Sequence, residues 1–197
     1  MQVSPSTPRS ETQLSILRSA RAEIERNGIL GLRVADVAEG ANCSITQIYR
    51  YFGDRDGLLA TTLGDLYDES VTSAFDGYMA RMRKLKVITV DDLVNNLPTP
   101  SDSGVMASQE ARIQILATSV KNSALRERIE RISVDMHRKW EEGLDYVESK
   151  LPPGVRIDRR VFMIMLSVQM MYYRTLLGDA GFNDREYRQF LRDKLTS

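Results

Sequence analysis

Apolar residues recur every three or four positions along almost the whole chain, and no run alternates with the period of two that a strand requires. The pattern therefore predicts an all-α protein of about nine helices. Leu17, Ala20 and Ile24, with Leu14 and Ile16 alongside, set a first helix over Glu11–Asn27, which Asn27-Gly28 stops. A short second helix follows Arg33, turns Val34, Val37 and Ala38 inward, and ends at Gly40-Ala41-Asn42. Asn tolerates positive φ better than other non-glycine residues, so Asn42 can make a sharp turn. Ser44 stands where an N-cap belongs, ahead of a third helix through Phe52 that buries Ile48 and Phe52. Asp54 can cap a long fourth helix, Arg55 to Lys84, with a stripe of Leu59, Leu63, Leu66, Ala74, Tyr78 and Met82.

Beyond it, Thr89 and Asp92 resemble a capping box that opens a short helix through Leu97, followed by a turn over Pro98–Gly104. A sixth helix covers Val105–Lys121 with Gln109, Ile113, Leu116 and Val120 in line. The seventh carries the clearest stripe, from Leu125 through Ile129, Ile132, Met136, Trp140, Leu144 and Val147 to Leu151, spanning roughly 40 Å. Asp158 caps an eighth helix closed by Gly178. A ninth opens on Asn183 and Glu186, with Phe182 placed to staple against Tyr187.

Composition narrows the function. Lys plus Arg and Asp plus Glu both number 27, so net charge gives nucleic acid no advantage as a partner. One cysteine and one histidine in 197 residues exclude an internal disulfide and a His/Cys structural zinc site, and fit a reducing, cytoplasmic setting. Residues 1–10 have no apolar run and read as a flexible leader rather than a minor-groove arm or a signal peptide. Val161–Leu177 approaches the length of a membrane span but contains Ser167, Gln169 and Arg174; it reads as a buried helix, with no membrane partner. No phosphate-cradling glycine loop, nucleophile elbow or metal-ligand spacing is present. Catalytic residues, a metal and a cofactor are accordingly not expected.

The segment Arg33–Leu59, RVADVAEGANCSITQIYRYFGDRDGLL, has the order of a helix-turn-helix, with polar and aromatic residues on the second helix that suit the major groove. It resembles the tetracycline-repressor (TetR) family of bacterial regulators. Ala20, Gly28, Val34, Val37-Ala38, Ser44, Tyr49-Arg50-Tyr51-Phe52, Arg55 and Leu58-Leu59 carry the likeness, over about the first 60 residues. It departs from the pattern at Asn42, in place of the turn glycine, and at Arg55, in place of lysine. The resemblance implies a flexible leader over 1–10, a three-helix DNA-binding domain over 11–58, and a ligand-binding and dimerisation domain over 59–197.

On that reading Arg33 and Arg55 clamp phosphates, and Ser44 shares its hydroxyl between the cap and a phosphate. Thr46, Gln47 and Arg50 face the groove, Gln suiting adenine and Arg guanine. Tyr49 and Tyr51 reach phosphates or thymine methyls, with partial core packing the alternative for Tyr49. Seven arginines balance seven acids in residues 1–60, so reading depends on two heads together. Cys43 takes a position that is apolar in the family and reads as a small hydrophobe rather than a redox sensor.

The resemblance also implies a homodimer through the last two helices, reading a near-palindromic double-stranded operator, and repression relieved by a small, mostly apolar ligand. Tyr67, Phe75, Met106, Met136, Trp140, Met170 and Tyr173 are the candidate lining residues, although such stripes are commonly plain core. His137 reads as a surface or hydrogen-bonded histidine rather than a ligand contact. The other class of function these features allow is a protein-interaction module whose neutral head no longer reads DNA.

Overall fold

The computed structural model describes residues 8–97, 103–162 and 184–195, and these are all-α, with no strand among them. The helices are α1 (Glu11–Gly31), α2 (Val34–Gly40), α3 (Ile45–Phe52), α4 (Arg55–Met82), α5 (Val90–Asn95), α6 (Ser103–Ser119), α7 (Ser123–Glu148) and a C-terminal helix, Asp184–Lys194. Residues 159–162 are helical and open the predicted eighth helix, whose remainder lies outside the described residues, as do Asn183 and Phe182. Among the described residues no helix is long and apolar enough to cross a membrane.

Local chemistry sets most of the boundaries. Ser10 caps α1, accepting from the Gln13 N–H at 3.3 Å while the Gln13 side chain accepts from the Ser10 N–H at 2.9 Å. Regular helix breaks at Gly28, where φ is 71°, near the predicted stop. The Thr89–Asp92 capping box forms as expected. Asn122 was not foreseen as a cap, yet its Oδ1 accepts the Leu125 N–H at 2.9 Å and so starts α7.

The chain divides into two compact units, Met1–Asp68 with Gln114–Glu130, and Glu69–Ile113 with Arg131–Ser197. The first closes over Ile16, Ala20, Val37, Ile48, Leu58 and Leu63, joined by Ile115, Leu125 and Ile129. The second closes over Phe75, Tyr78, Met79, Met82, Trp140, Leu144 and Phe162, with Tyr187 and Leu191 of the C-terminal helix.

Two predicted stripes are corrected. Ala74 is exposed, and Phe75 and Met79 carry the inward face of α4 there. Ile113 on α6 and Val120 just beyond its end are exposed, while Ile115 and Ser119 are buried. Both stretches hold small or apolar residues on more than one side, so period alone does not select the face; the packing partner does. The α7 stripe is correct from Leu125 to Val147, with Ile132 only half-buried. Helix α7 ends at Glu148, and a turn carries Leu151 into the core.

That turn is held by one arginine. Arg159 reaches Glu141 at 2.9 Å, Asp145 at 2.6 Å and Glu148 at 2.6 Å, which hold its guanidinium charged. The other Glu148 oxygen accepts the Ile157 N–H at 2.9 Å. Burial pushes the Glu148 carboxyl up, but the Arg159 and Ile157 bonds outweigh it and hold it below the usual glutamate range. A lowered folded-state pKa gives stability that is present above the unfolded pKa and lost as pH falls through the folded one. Glu148→Gln should therefore cost about 1–3 kcal/mol at neutral pH. It should also flatten the decline in melting temperature between about pH 5 and pH 3, followed by circular dichroism.

Candidate DNA-reading head

The turn between α2 and α3 is built from backbone bonds that Asn42 makes available. The Cys43 N–H donates to the Ala38 carbonyl at 3.0 Å and the Asn42 N–H to the Glu39 carbonyl at 3.1 Å. This is the Schellman pattern, and it needs a residue in the left-handed region: Asn42 has φ 50°, the one non-glycine with positive φ among the described residues. Ser44 then caps α3 by accepting the Gln47 N–H at 3.1 Å. Against α1, α2 packs with its Gly40 beside Ser19, whose hydroxyl donates to the Val37 carbonyl at 3.0 Å.

Helix α3 is anchored by Ile48, fully buried, with Phe52 and Tyr51 half-buried. Thr46, Tyr49 and Arg50 are exposed and Gln47 is half-buried, so the groove-facing set predicted from sequence shares one outer surface. Tyr49 is 41% exposed and is not among the residues of the first core. The Arg50 guanidinium lies 5.0 Å from the Tyr51 ring centroid and donates to the Tyr51 hydroxyl at 3.3 Å. That bond, with smaller contributions from Ser10 and Thr12, lowers the Tyr51 pKa. The start of α1 therefore meets the end of α3 at Tyr51.

Arg33 is exposed at the start of α2. Arg55 also has partners within the head: its Nε donates to the Leu32 carbonyl at 3.2 Å and its Nη2 to the Leu30 carbonyl at 3.4 Å. It thereby ties the α1–α2 turn to the start of α4, a structural role that sequence reasoning missed. Asp54 caps α4 as expected, accepting the Gly57 N–H at 2.7 Å. Cys43 packs against the first core and burial pushes its thiol pKa up, which disfavours the reactive thiolate.

Arg9, assigned from sequence to the leader, makes a two-pronged pair with Asp65 of α4 at 2.5 and 3.0 Å. Asp65 also accepts from Arg128 of α7, whose second nitrogen donates to the Thr61 carbonyl at 3.0 Å. Gly64 leaves the room for that guanidinium, since a Cβ there would lie 2.3 Å from the Arg128 side chain. The chain entering α1 is thus tied to α4.

Residues 16–62 match the family model of the bacterial regulatory proteins of the tetR family. That stretch of the chain is similar to the DNA-binding part of the TetR family. The HTH-type transcriptional regulator BetI of Burkholderia thailandensis is 35% identical over 82 residues, 38% of this chain and 42% of that protein. The matched stretch thus spans under half the length of the curated relatives, BetI of Burkholderia pseudomallei among them. A regulator from Saccharomonospora viridis, solved in complex with choline, shares the fold with a TM-score of 0.61 at 18% identity, over 96% of this chain and all of that one. A putative TetR-family regulator from Rhodococcus sp. does so with a TM-score of 0.57 at 22% identity, over 94% and 96%. The described head has the helices, turn and cap that the sequence predicts, in that order.

The candidate ligand residues divide. Phe75, Met136 and Trp140 meet in the second core, and Tyr67 packs against the first. Met170 and Tyr173 lie outside the described residues, as does the side chain of Met106. The structure adds two residues, Tyr78 and Phe162, whose rings stand 5.5 and 5.2 Å from the Trp140 ring, with Phe75 at 4.9 Å. Tyr78 was legible as a stripe position, but a shared contact with Trp140 was not. His137 is on the surface, as expected.

Proposed function

We propose that this protein is a DNA-binding transcriptional regulator, a cytoplasmic repressor that reads a near-palindromic operator as a homodimer and is released by a small molecule. Residues 11–58 carry the DNA-binding function and residues 59–197 ligand binding and dimerisation, although 59–68 and 114–130 pack in the same compact unit as the head. The observation that carries the reading is α3 itself: a capped helix after a left-handed turn, presenting Thr46, Gln47, Tyr49 and Arg50 outward. Arg33 and Ser44 stand beside it as phosphate contacts, with Tyr51 at its end. Arg55 contributes by fixing the turn as well as by its charge.

A mostly apolar ligand is supported by the ring group around Trp140, whose faces would also suit an organic cation. The neighbour of this fold from S. viridis was solved with choline. The Tyr78 hydroxyl is buried without a hydrogen-bond partner, and a polar atom of the ligand would satisfy it. Exposed Phe190 on the C-terminal helix offers an apolar contact to a second copy.

A gel-shift titration with the DNA flanking the gene, over a salt series, tests the reading. A specific complex is expected, and Gln47→Ala and Arg50→Ala should each weaken it by about 1–3 kcal/mol, roughly five- to 150-fold. No specific complex at low salt would exclude DNA reading and leave the protein-interaction module.

A further inference from the structure

Reading helices are selected for what they leave exposed, and α3 exposes more apolar surface than its fold requires. Ile48 alone is fully buried on this helix. Ile45 is nevertheless 41% exposed, and so is Tyr49. They stand four residues apart, hence on one face one turn from each other. Neither belongs to the first core, and exposed Thr46 and Arg50, each next in sequence to one of them, supply polar groups suited to hydrogen-bonding DNA.

We propose that Ile45 and Tyr49 form an apolar edge that recognises thymine through its C5 methyl group. This rests on the DNA-reading function proposed above and assigns a specificity residue, Ile45, that the predicted set lacked. In the major groove thymine alone among the four bases presents a methyl, where cytosine has only C5–H; the remaining recognition features there are donors and acceptors. A branched aliphatic side chain can satisfy none of those polar groups and would strip them of water uncompensated. It gains only where the base edge is itself apolar. Tyr49, one turn on, extends the same surface, while Arg50 and Gln47 supply the hydrogen bonds that fix register. The first position of α3 therefore selects A·T pairs by shape and apolar contact, in a half-site otherwise read by polar groups.

An operator is first selected by the full-length protein from a random-sequence DNA pool. Each thymine of one half-site is then replaced in turn by deoxyuridine, which keeps every hydrogen-bonding group and deletes only the methyl. At one or two positions the wild-type protein should lose roughly fourfold in affinity, the scale of one buried methyl. Ile45→Ala should bind the thymine operator more weakly and lose nothing further from deoxyuridine at that position. Ile45→Val should fall between. Because Ile45 is exposed, all three proteins should melt alike, which separates a contact effect from misfolding. Wild-type binding indifferent to deoxyuridine at every position, or Ile45→Ala with undiminished methyl sensitivity, would overturn the proposal while leaving DNA reading intact. Failure to select any operator would remove the DNA-reading function and this proposal together.

Discussion

Trp140→Ala should lower the stability of the second unit by about 3–5 kcal/mol, the largest loss expected from any single truncation here. Three rings pack on the indole, those of Phe75, Tyr78 and Phe162, at centroid separations of 4.9, 5.5 and 5.2 Å. Edge and tilted ring contacts of this kind add about 0.5–1.5 kcal/mol each beyond the area they bury. The hole left by alanine has little means of closing. Gly143, one turn along α7, already sits so close that a Cβ would lie 3.1 Å from both Phe75 and Met79. Thermal unfolding followed by far-ultraviolet circular dichroism should show a drop of roughly 6–20 °C. Trp140→Phe, which keeps one ring in place, should lose less than half as much. Equal losses for the two variants would mean that the ring contacts contribute little.

Gly57→Ala should damage the head from a position that touches no DNA-reading residue. A Cβ on Gly57 would lie 1.9 Å from the Phe52 carbonyl oxygen and 3.1 Å from its carbon. This neighbour is backbone, so no rotamer change relieves the overlap. The start of α4 is held by the Asp54 cap at 2.7 Å and by Asn122, whose amide donates to the Asp56 carbonyl at 2.9 Å. The displacement therefore falls on the end of α3. A cost of about 1–3 kcal/mol is expected, as for other overpacked sites. Operator affinity should fall by at least tenfold, about 1.4 kcal/mol, because the reading helix is re-aimed. Gly77→Ala is the control: the same helix, with only the flexible end of Arg81 at 3.5 Å, and a stability unchanged or slightly raised. If both variants melt and bind alike, the α3–α4 approach is looser than the structure shows.

These two sites differ in how far sequence could reach them. The turn and cap of the head were legible because their partners are local: Asn42 bonds back three residues, and Ser44 caps three residues ahead. Such bonds follow from residue type and order alone. The same holds for the Thr89–Asp92 box and for the α7 stripe, whose period is unambiguous.

What sequence left open was the choice between chemically equivalent alternatives. The charge of Arg55 suggests a phosphate contact, but its bonds to carbonyls 23 and 25 residues away follow from no local pattern. Arg9 was read as part of a flexible leader, and its partner Asp65 is 56 residues distant. The inward faces of α6 and mid-α4 were misplaced because small and apolar residues occur on both sides, so Ile115 and Phe75 were decided by what they pack against. Ile45 is the converse case: an apolar residue that period would allow inside and packing leaves outside. The sequence by itself therefore determined the all-α class, the order of the helices and the turn that makes the reading head, since each depends on bonds within a few residues. The tertiary structure alone decided which charges are tied down and which apolar surface remains to meet DNA, because burial is a property of the whole packed unit and not of any segment.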